Sequence, residues 1–130
     1  MKFKSNKNIV YNCQYHVIWC VKYRRKVLVD EVDNRLKEIL HQVAQDVRCE
    51  IEEIQTDRDH VHLLISCDPQ FGIHQVVKRM KGRSSKLLRD EFPFLKSRIP
   101  SLWTNSYFVA TVGGAPLSVI KQYIRDQQIV

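Results

Sequence analysis

The order of secondary-structure signals along the chain predicts an α+β fold. It is a ferredoxin-like (RRM-like) βαββαβ sandwich with an antiparallel sheet, followed by one C-terminal helix. Three observations predict it. Residues 9–21, "IVYNCQYHVIWCV", are rich in β-branched and aromatic residues, as a strand requires. Residues 30–48 repeat apolar side chains every three or four positions, as an amphipathic helix requires. Residues 56–66, "TDRDHVHLLIS", join a turn to a dense apolar run.

Each element follows in order. The first strand is 9–21. The helix over 30–48 carries Val32, Leu36, Ile39, Leu40, Val43, Ala44 and Val47 on one stripe. "CEIEEIQ" is a short strand with partial alternation, and the turn "TDRD" leads into the strand that holds His60 and His62. After "DPQFG" a second helix shows a broken stripe of Val76, Val77, Met80, Leu87 and Leu88. Pro93 and Pro100 punctuate a loop, and "SLWTNSYFVATV" is a fourth strand. Gly113-Gly114 breaks it, and Pro116 suits the first turn of a last helix, "PLSVIKQYIRDQQIV". One domain over 1–130 is expected: a core over 1–112, then a hinge and helix over 113–130.

Composition narrows the class. Hydrophobic residues make up 44%, which favours a packed globule over a disordered chain. No apolar run reaches the ~18 residues of a membrane span. The basic N-terminus "MKFKSNKNIV" leads into no signal-peptide pattern, so a cytoplasmic protein is expected. Cys13, Cys20, Cys49 and Cys67 form no C-x-x-C pair and read as buried free thiols rather than zinc ligands. The net charge of +7 is clustered in "KYRRK" at 22–26 and "KRMKGRSSKLLR" at 78–89. Such clusters attract phosphate backbones, although a solvated helix face is the ordinary reading of either alone. Lys78, Arg79, Arg83, Lys86 and Arg89 are the expected backbone contacts, and Tyr23 and Trp103 are candidates to stack on unpaired bases.

The sharpest local signal is the histidine pair. In a strand, residues two apart point to one face, so Val61, Leu63 and Ile65 share a face with Asp59 while His60 and His62 share the other. Their Cα atoms would stand ~6.5 Å apart, close enough for both imidazoles to meet one divalent ion. Two half-exposed histidines with no ligand are the bland alternative. On the last helix Tyr123 and Gln127 lie four apart and share a face. A tyrosine there can serve as a nucleophile or simply pack.

"DHVHLLI", "KRMKGRSSKLL" and "YIRDQ", in this order and at these separations, resemble the small single-tyrosine HUH transposases of prokaryotic insertion sequences, the 200/605 family. HUH denotes His, a hydrophobic residue and His, here His60-Val61-His62. The resemblance implies an enzyme that cuts and rejoins single-stranded transposon ends folded into hairpins. Tyr123 would be the nucleophile, forming a 5′-phosphotyrosine and releasing a 3′-hydroxyl. His60, His62 and Gln127 would hold a divalent metal, Mg2+ or alternatively Mn2+. It also implies a homodimer joined through its fourth strands, with the tyrosine helix able to act in trans, and a nucleoid-associated location. Some members continue beyond the position of Gln127 with helical residues that steady the tyrosine helix, so the three residues present here mark either a compact form or a trimmed C-terminus, with the site formed within one subunit or across two. The alternatives are a non-catalytic ferredoxin-like nucleic-acid-binding module, a domesticated repeat-associated tyrosine transposase, and a metal-dependent hydrolase that uses water.

Overall fold

The structure, a computed structural model, describes residues 3–98, 100–112 and 117–127. A short hairpin comes first, β1 (Lys4–Ser5) against β2 (Val10–Tyr11). The main sheet is built from β3 (Gln14–Cys20), β4 (Cys49–Asp57), β5 (His60–Cys67) and β6 (Phe108–Thr111). Its order is β4-β5-β3-β6 and every neighbouring pair is antiparallel. Helices α1 (Asp30–Asp46) and α2 (Ile73–Glu91) pack on each other over one face of this sheet. A short α3 (Phe94–Arg98) follows, and α4 (Leu117–Asp126) closes the described chain. This is the ferredoxin-like sandwich the element order predicts.

Alternation along β5 decides which side is core. Val61, Leu63 and Ile65 are fully buried beneath α1 and α2. They meet Val17 and Trp19 across the β3 register, and Leu36, Ile39, Leu40, Val43, Val76, Val77 and Met80 complete the cluster. The broken alternation of "CEIEEIQ" has a simple cause. A β-bulge between Ile51 and Glu53 resets the register, so Ile51 and Ile54, three apart, both pack on the core side. Gly72 opens α2 at φ 92, a conformation that side chains with a Cβ rarely adopt.

Several boundaries differ from the sequence reading, and of the expected turn "TDRD" Thr56 and Asp57 pair with Val61 and His60 as the end of β4. The first strand is interrupted at 12–13, and its early residues turn back as the β1–β2 hairpin. The Pro93–Pro100 loop contains α3. The fourth strand is limited to Phe108–Thr111, because Leu102 and Trp103 turn into the core. Trp103 keeps one bridge to Val21, while the carbonyls of 104–106 are taken by a lysine side chain instead of a strand partner. Gly113 and Gly114, the expected hinge, and Pro116, expected in the first turn of the last helix, lie outside the described residues. No helix among the described residues is long and apolar enough to cross a membrane.

All four cysteines are free; Cys20, Cys49 and Cys67 are buried and Cys13 is intermediate. Burial pushes the three buried thiols up to about 11, about 12 and about 11 respectively. A thiol reagent at pH 8 should therefore modify Cys13 first and reach the others only with denaturant. The two faces of β5 can be tested in the same way. Leu63→Ala should cost about 3 kcal/mol, and Leu64→Ala on the half-exposed face about 1 kcal/mol or less, both read from urea unfolding.

Candidate active site on the sheet face opposite the helical pair

The face of the sheet away from α1 and α2 carries the histidines. The β3–β5 register sets His60 opposite Cys20 and His62 opposite Ile18. His16 lies on the same face, and its Nδ1 stands 3.2 Å from His62 Nε2. Burial and the neighbouring His16 and His60 lower the pKa of His62, which favours its neutral imidazole. A neutral ring is the form that ligates metals.

His60 is oriented from behind. Its Nδ1 meets Asp59 Oδ1 at 2.8 Å, leaving Nε2 free to point elsewhere. Asp59 is only 6% exposed and is gripped by Arg24, with Nε at 3.0 Å and Nη2 at 2.9 Å from Oδ2. Burial pushes the Asp59 carboxyl up, but the His60 hydrogen bond and the Arg24 guanidinium outweigh it and hold it below the ordinary carboxylate value. Arg24 reaches this position from a tight 3-10 turn in which Tyr23 and Arg24 adopt φ 59 and 51. Backbone bonds from Val21 to Asp59 and from Leu28 to Arg58 seat that turn against the β4–β5 connection.

A carboxylate behind one imidazole is a common way to fix the ring of a metal ligand. Among the described residues, ligand atoms of Asp57, Asp59 and His60 lie within 4.8 Å of one another. Imidazole nitrogens with carboxylate and amide oxygens suit a divalent cation of intermediate hardness. The imidazoles fit a divalent metal, but this carboxylate cluster shares only His60 with the expected set of His60, His62 and Gln127.

The tyrosine helix lies on the same face. Tyr123 packs on the Phe108 ring of β6, with centroids 5.4 Å apart, and α4 runs against β3. Tyr123 Oη is 3.0 Å from Ser106 Oγ, which also donates to Gln127 Oε1 at 3.1 Å. Burial raises the Tyr123 pKa, only partly offset by Ser106, so the phenol is neutral at physiological pH. Cys20, the register partner of His60, is close enough to add to that rise. No hydrogen bond among the described residues joins Tyr123 or Gln127 to either histidine.

The basic stripe is placed elsewhere. Lys78, Arg79, Arg83, Lys86 and Arg89 project from α2 in the helical layer, on the far side of the sheet from the histidines. Arg79 lies over Phe71, Arg83 pairs with Asp46, Lys86 with Asp90, and Arg89 donates to the Pro100 carbonyl. Gly82 faces open space. Trp103 corrects an expectation. It is 5% exposed, donates Nε1 to Ser84 and packs edge-on against Trp19, so it is core and offers no face to a base. Tyr23 remains 48% exposed beside the basic turn.

Sequence reasoning missed His16, Ser106 and Lys81. His16 carries a readable signal, since it sits on the strand paired with the histidine strand. Ser106 carries none, because only the fold brings its loop to α4.

The Arg24 pair makes a pH-dependent prediction. A carboxylate held below its ordinary pKa stabilises the fold above that value and ceases to as pH falls through the lower, folded-state value. Arg24→Ala should therefore cost about 1–3 kcal/mol at neutral pH, with the gap to wild type closing below about pH 4. Thermal unfolding across pH measures it.

Comparison with known proteins agrees with this architecture. The profile of the family described as "Transposase IS200 like" matches residues 9–127. The ISDra2 transposase TnpA of Deinococcus radiodurans is 40% identical over 129 residues, covering 98% of this chain and 92% of the relative. The transposase for insertion sequence element IS200 of Salmonella typhimurium is 30% identical over 126 residues, covering 95% and 82%. A crystal structure of a transposase from Deinococcus radiodurans R1 superposes with a TM-score of 0.86 at 38% identity, covering 98% of this chain and 99% of that one. A REP-associated tyrosine transposase bound to a REP hairpin shares the fold alone, with a TM-score of 0.59 at 11% identity over 93% and 67% of the two chains. The chain belongs to the IS200-like transposase family.

Proposed function

We propose that this transposase cuts and rejoins single-stranded transposon ends bearing hairpins through a 5′-phosphotyrosine on Tyr123. The observation that supports the reading best is the shared face: α4, with Tyr123, lies on the side of the sheet that carries His60 and His62.

The phenol oxygen of Tyr123 attacks the scissile phosphorus, a Tyr–O–P bond forms, and the bond to the 3′-oxygen breaks to release a 3′-hydroxyl. The phosphodiester energy is retained in the covalent bond. A second 3′-hydroxyl then attacks the same phosphorus and frees the tyrosine, so rejoining needs no nucleotide cofactor. The phenol is neutral at rest, its proton passes to solvent as it attacks, and the departing 3′-oxygen takes up a proton from solvent. His60, His62 and Gln127 would hold the divalent metal, Mg2+ or Mn2+, with Asp59 fixing the His60 ring. Bound there, such an ion supplies charge to a non-bridging phosphate oxygen and to the departing 3′-oxygen.

The α2 stripe from Lys78 to Arg89 would bind the DNA backbone without reading sequence. A homodimer would form through β6, whose only sheet neighbour among the described residues is β3 and whose Val109 is exposed. The tyrosine helix would work on its own sheet or its partner's.

A denaturing gel tests the chemistry. Labelled single-stranded hairpin oligonucleotides from the flanks of the gene are mixed with protein and Mg2+ or Mn2+. Wild type should yield a protease-sensitive DNA adduct, whereas Tyr123→Phe should yield none. His62→Ala and chelation of the metal should each abolish it, with recovery of the chelated sample when metal is restored. Asp59→Ala should raise the metal concentration required by about 10- to 100-fold. Tight hairpin binding without adduct or cleavage would favour the binding-module reading. Cleavage that survives Tyr123→Phe would mean that water attacks.

A further inference from the structure

The loop between Trp103 and β6 is built around a cation. Lys81 Nζ, from α2, donates to the carbonyls of Thr104 at 2.7 Å, Asn105 at 3.2 Å and Ser106 at 3.1 Å. Three consecutive carbonyls converge on one point only if the backbone curls around it. That curl removes 104–106 from the sheet ladder and turns them toward the helical layer. Burial lowers the Lys81 pKa to about 8, so the ammonium gives up solvation to hold the loop. Tyr107, the next residue, lies on the same side, stacked on His74 with the Lys81 ammonium 6.0 Å from its ring centroid.

The Ser106 side chain points the other way, toward α4. Gln127 Oε1 carries no hydrogen, so Ser106 spends its single hydroxyl proton on that oxygen. With that proton so placed, the phenol is the donor in the contact between Ser106 Oγ and Tyr123 Oη at 3.0 Å, and the hydroxyl is left to turn toward the phenolate as it forms. The resting chain of hydrogen bonds runs from Tyr123 to Ser106 to Gln127. It ends on an amide oxygen, which does not take up a proton at neutral pH. Ser106 therefore orients the phenol and is no base for it. The same hydroxyl also sets Gln127, which is 8% exposed and one helical turn from Tyr123.

We propose that Ser106 is the positioning residue of the tyrosine helix, aligning Tyr123 and Gln127 together, and that Lys81 holds Ser106 in place by clamping the loop 104–106. The inference rests on the reading of Tyr123 as the nucleophile. Lys81 thus links the basic helix on one side of the sheet to the nucleophile on the other. Neither residue need touch DNA to act.

The test compares Ser106→Ala, Ser106→Thr and Lys81→Met with wild type. Single-turnover adduct formation at saturating hairpin oligonucleotide and metal should slow about tenfold or more in Ser106→Ala, which loses the hydrogen bonds to both Tyr123 and Gln127. Hairpin affinity should stay within about twofold, because the loss falls on positioning and not on binding. Ser106→Thr, which keeps the hydroxyl, should recover most of the rate. Lys81→Met should resemble Ser106→Ala.

A second readout needs neither DNA nor metal. Nitration of Tyr123 by tetranitromethane, mapped by mass spectrometry, should be faster in Ser106→Ala and Lys81→Met, with Tyr11 and Tyr15 unchanged as internal controls. An adduct rate in Ser106→Ala within twofold of wild type, or equal loss in Ser106→Ala and Ser106→Thr, overturns the proposal alone. Absence of any adduct in wild type overturns the nucleophile reading and the proposal with it.

Discussion

The two-sidedness of β5 is the constraint on which the rest depends. One strand, central in the sheet, must serve an apolar core and a polar face at once. The period of two makes this possible, and pairing with β3 and β4 on either side makes it rigid. A register slip of one residue would bury His60 and His62 beneath α1 and α2 and lift Leu63 into the polar face. Burial of Val61, Leu63 and Ile65 therefore does more than stabilise. It fixes which way the imidazoles point, so the energy of the core is also the positional energy of the site.

Electrostatic contacts then refine what packing sets. Arg24, Asp59 and His60 form a short chain in which the Asp59 carboxylate answers the Arg24 guanidinium and fixes the His60 ring. Its anchor is a turn held in a backbone conformation that Tyr23 and Arg24 seldom adopt, which places Arg24 inward and leaves the Tyr23 ring outward. Lys81 plays the corresponding part beside the same end of β3, where the Thr104 N–H bonds the Cys20 carbonyl. In both places a basic residue from a cluster that looks like a nucleic-acid patch is committed to structure. Clustered charge in the sequence thus mixes residues available to a phosphate with residues already occupied.

The sequence made the layers legible, and for physical reasons. Helix α1 is amphipathic along its whole length, and β5 alternates cleanly, so their faces could be assigned without coordinates. The first and fourth strands were read too long. β-branched and aromatic residues at 9–13 and 101–107 carry the same propensity as a paired strand, but pairing is a long-range event that local composition does not encode. Trp103 shows the same limit. An indole beside a polar loop looks available for stacking until the Ser84 hydroxyl and the Trp19 ring are seen to enclose it. The histidine pair and Tyr123 were legible because strand and helix periodicity are short-range. Ser106 was not, because its role depends on four separate segments meeting: α2, the loop, β6 and α4.

On the proposed function, the separation of charge from chemistry would set the path of a DNA strand. The α2 stripe and the histidine face lie on opposite sides of a sheet, with the helical layer between them. A hairpin held by Arg79 and Lys86 and a phosphate presented to Tyr123 are thus not parts of one flat footprint. For a single DNA molecule to engage both, it must pass around a sheet edge or run between two protomers. The β6 edge is the shorter way for the tyrosine helix, since Phe108 touches Tyr123 directly and Ser106 precedes it in the same segment. The segment that would carry the dimer contact is therefore continuous with the one that orients Tyr123, the proposed nucleophile. Assembly at that edge would bear on Ser106 through a few residues of backbone, and on Tyr123 through one hydrogen bond.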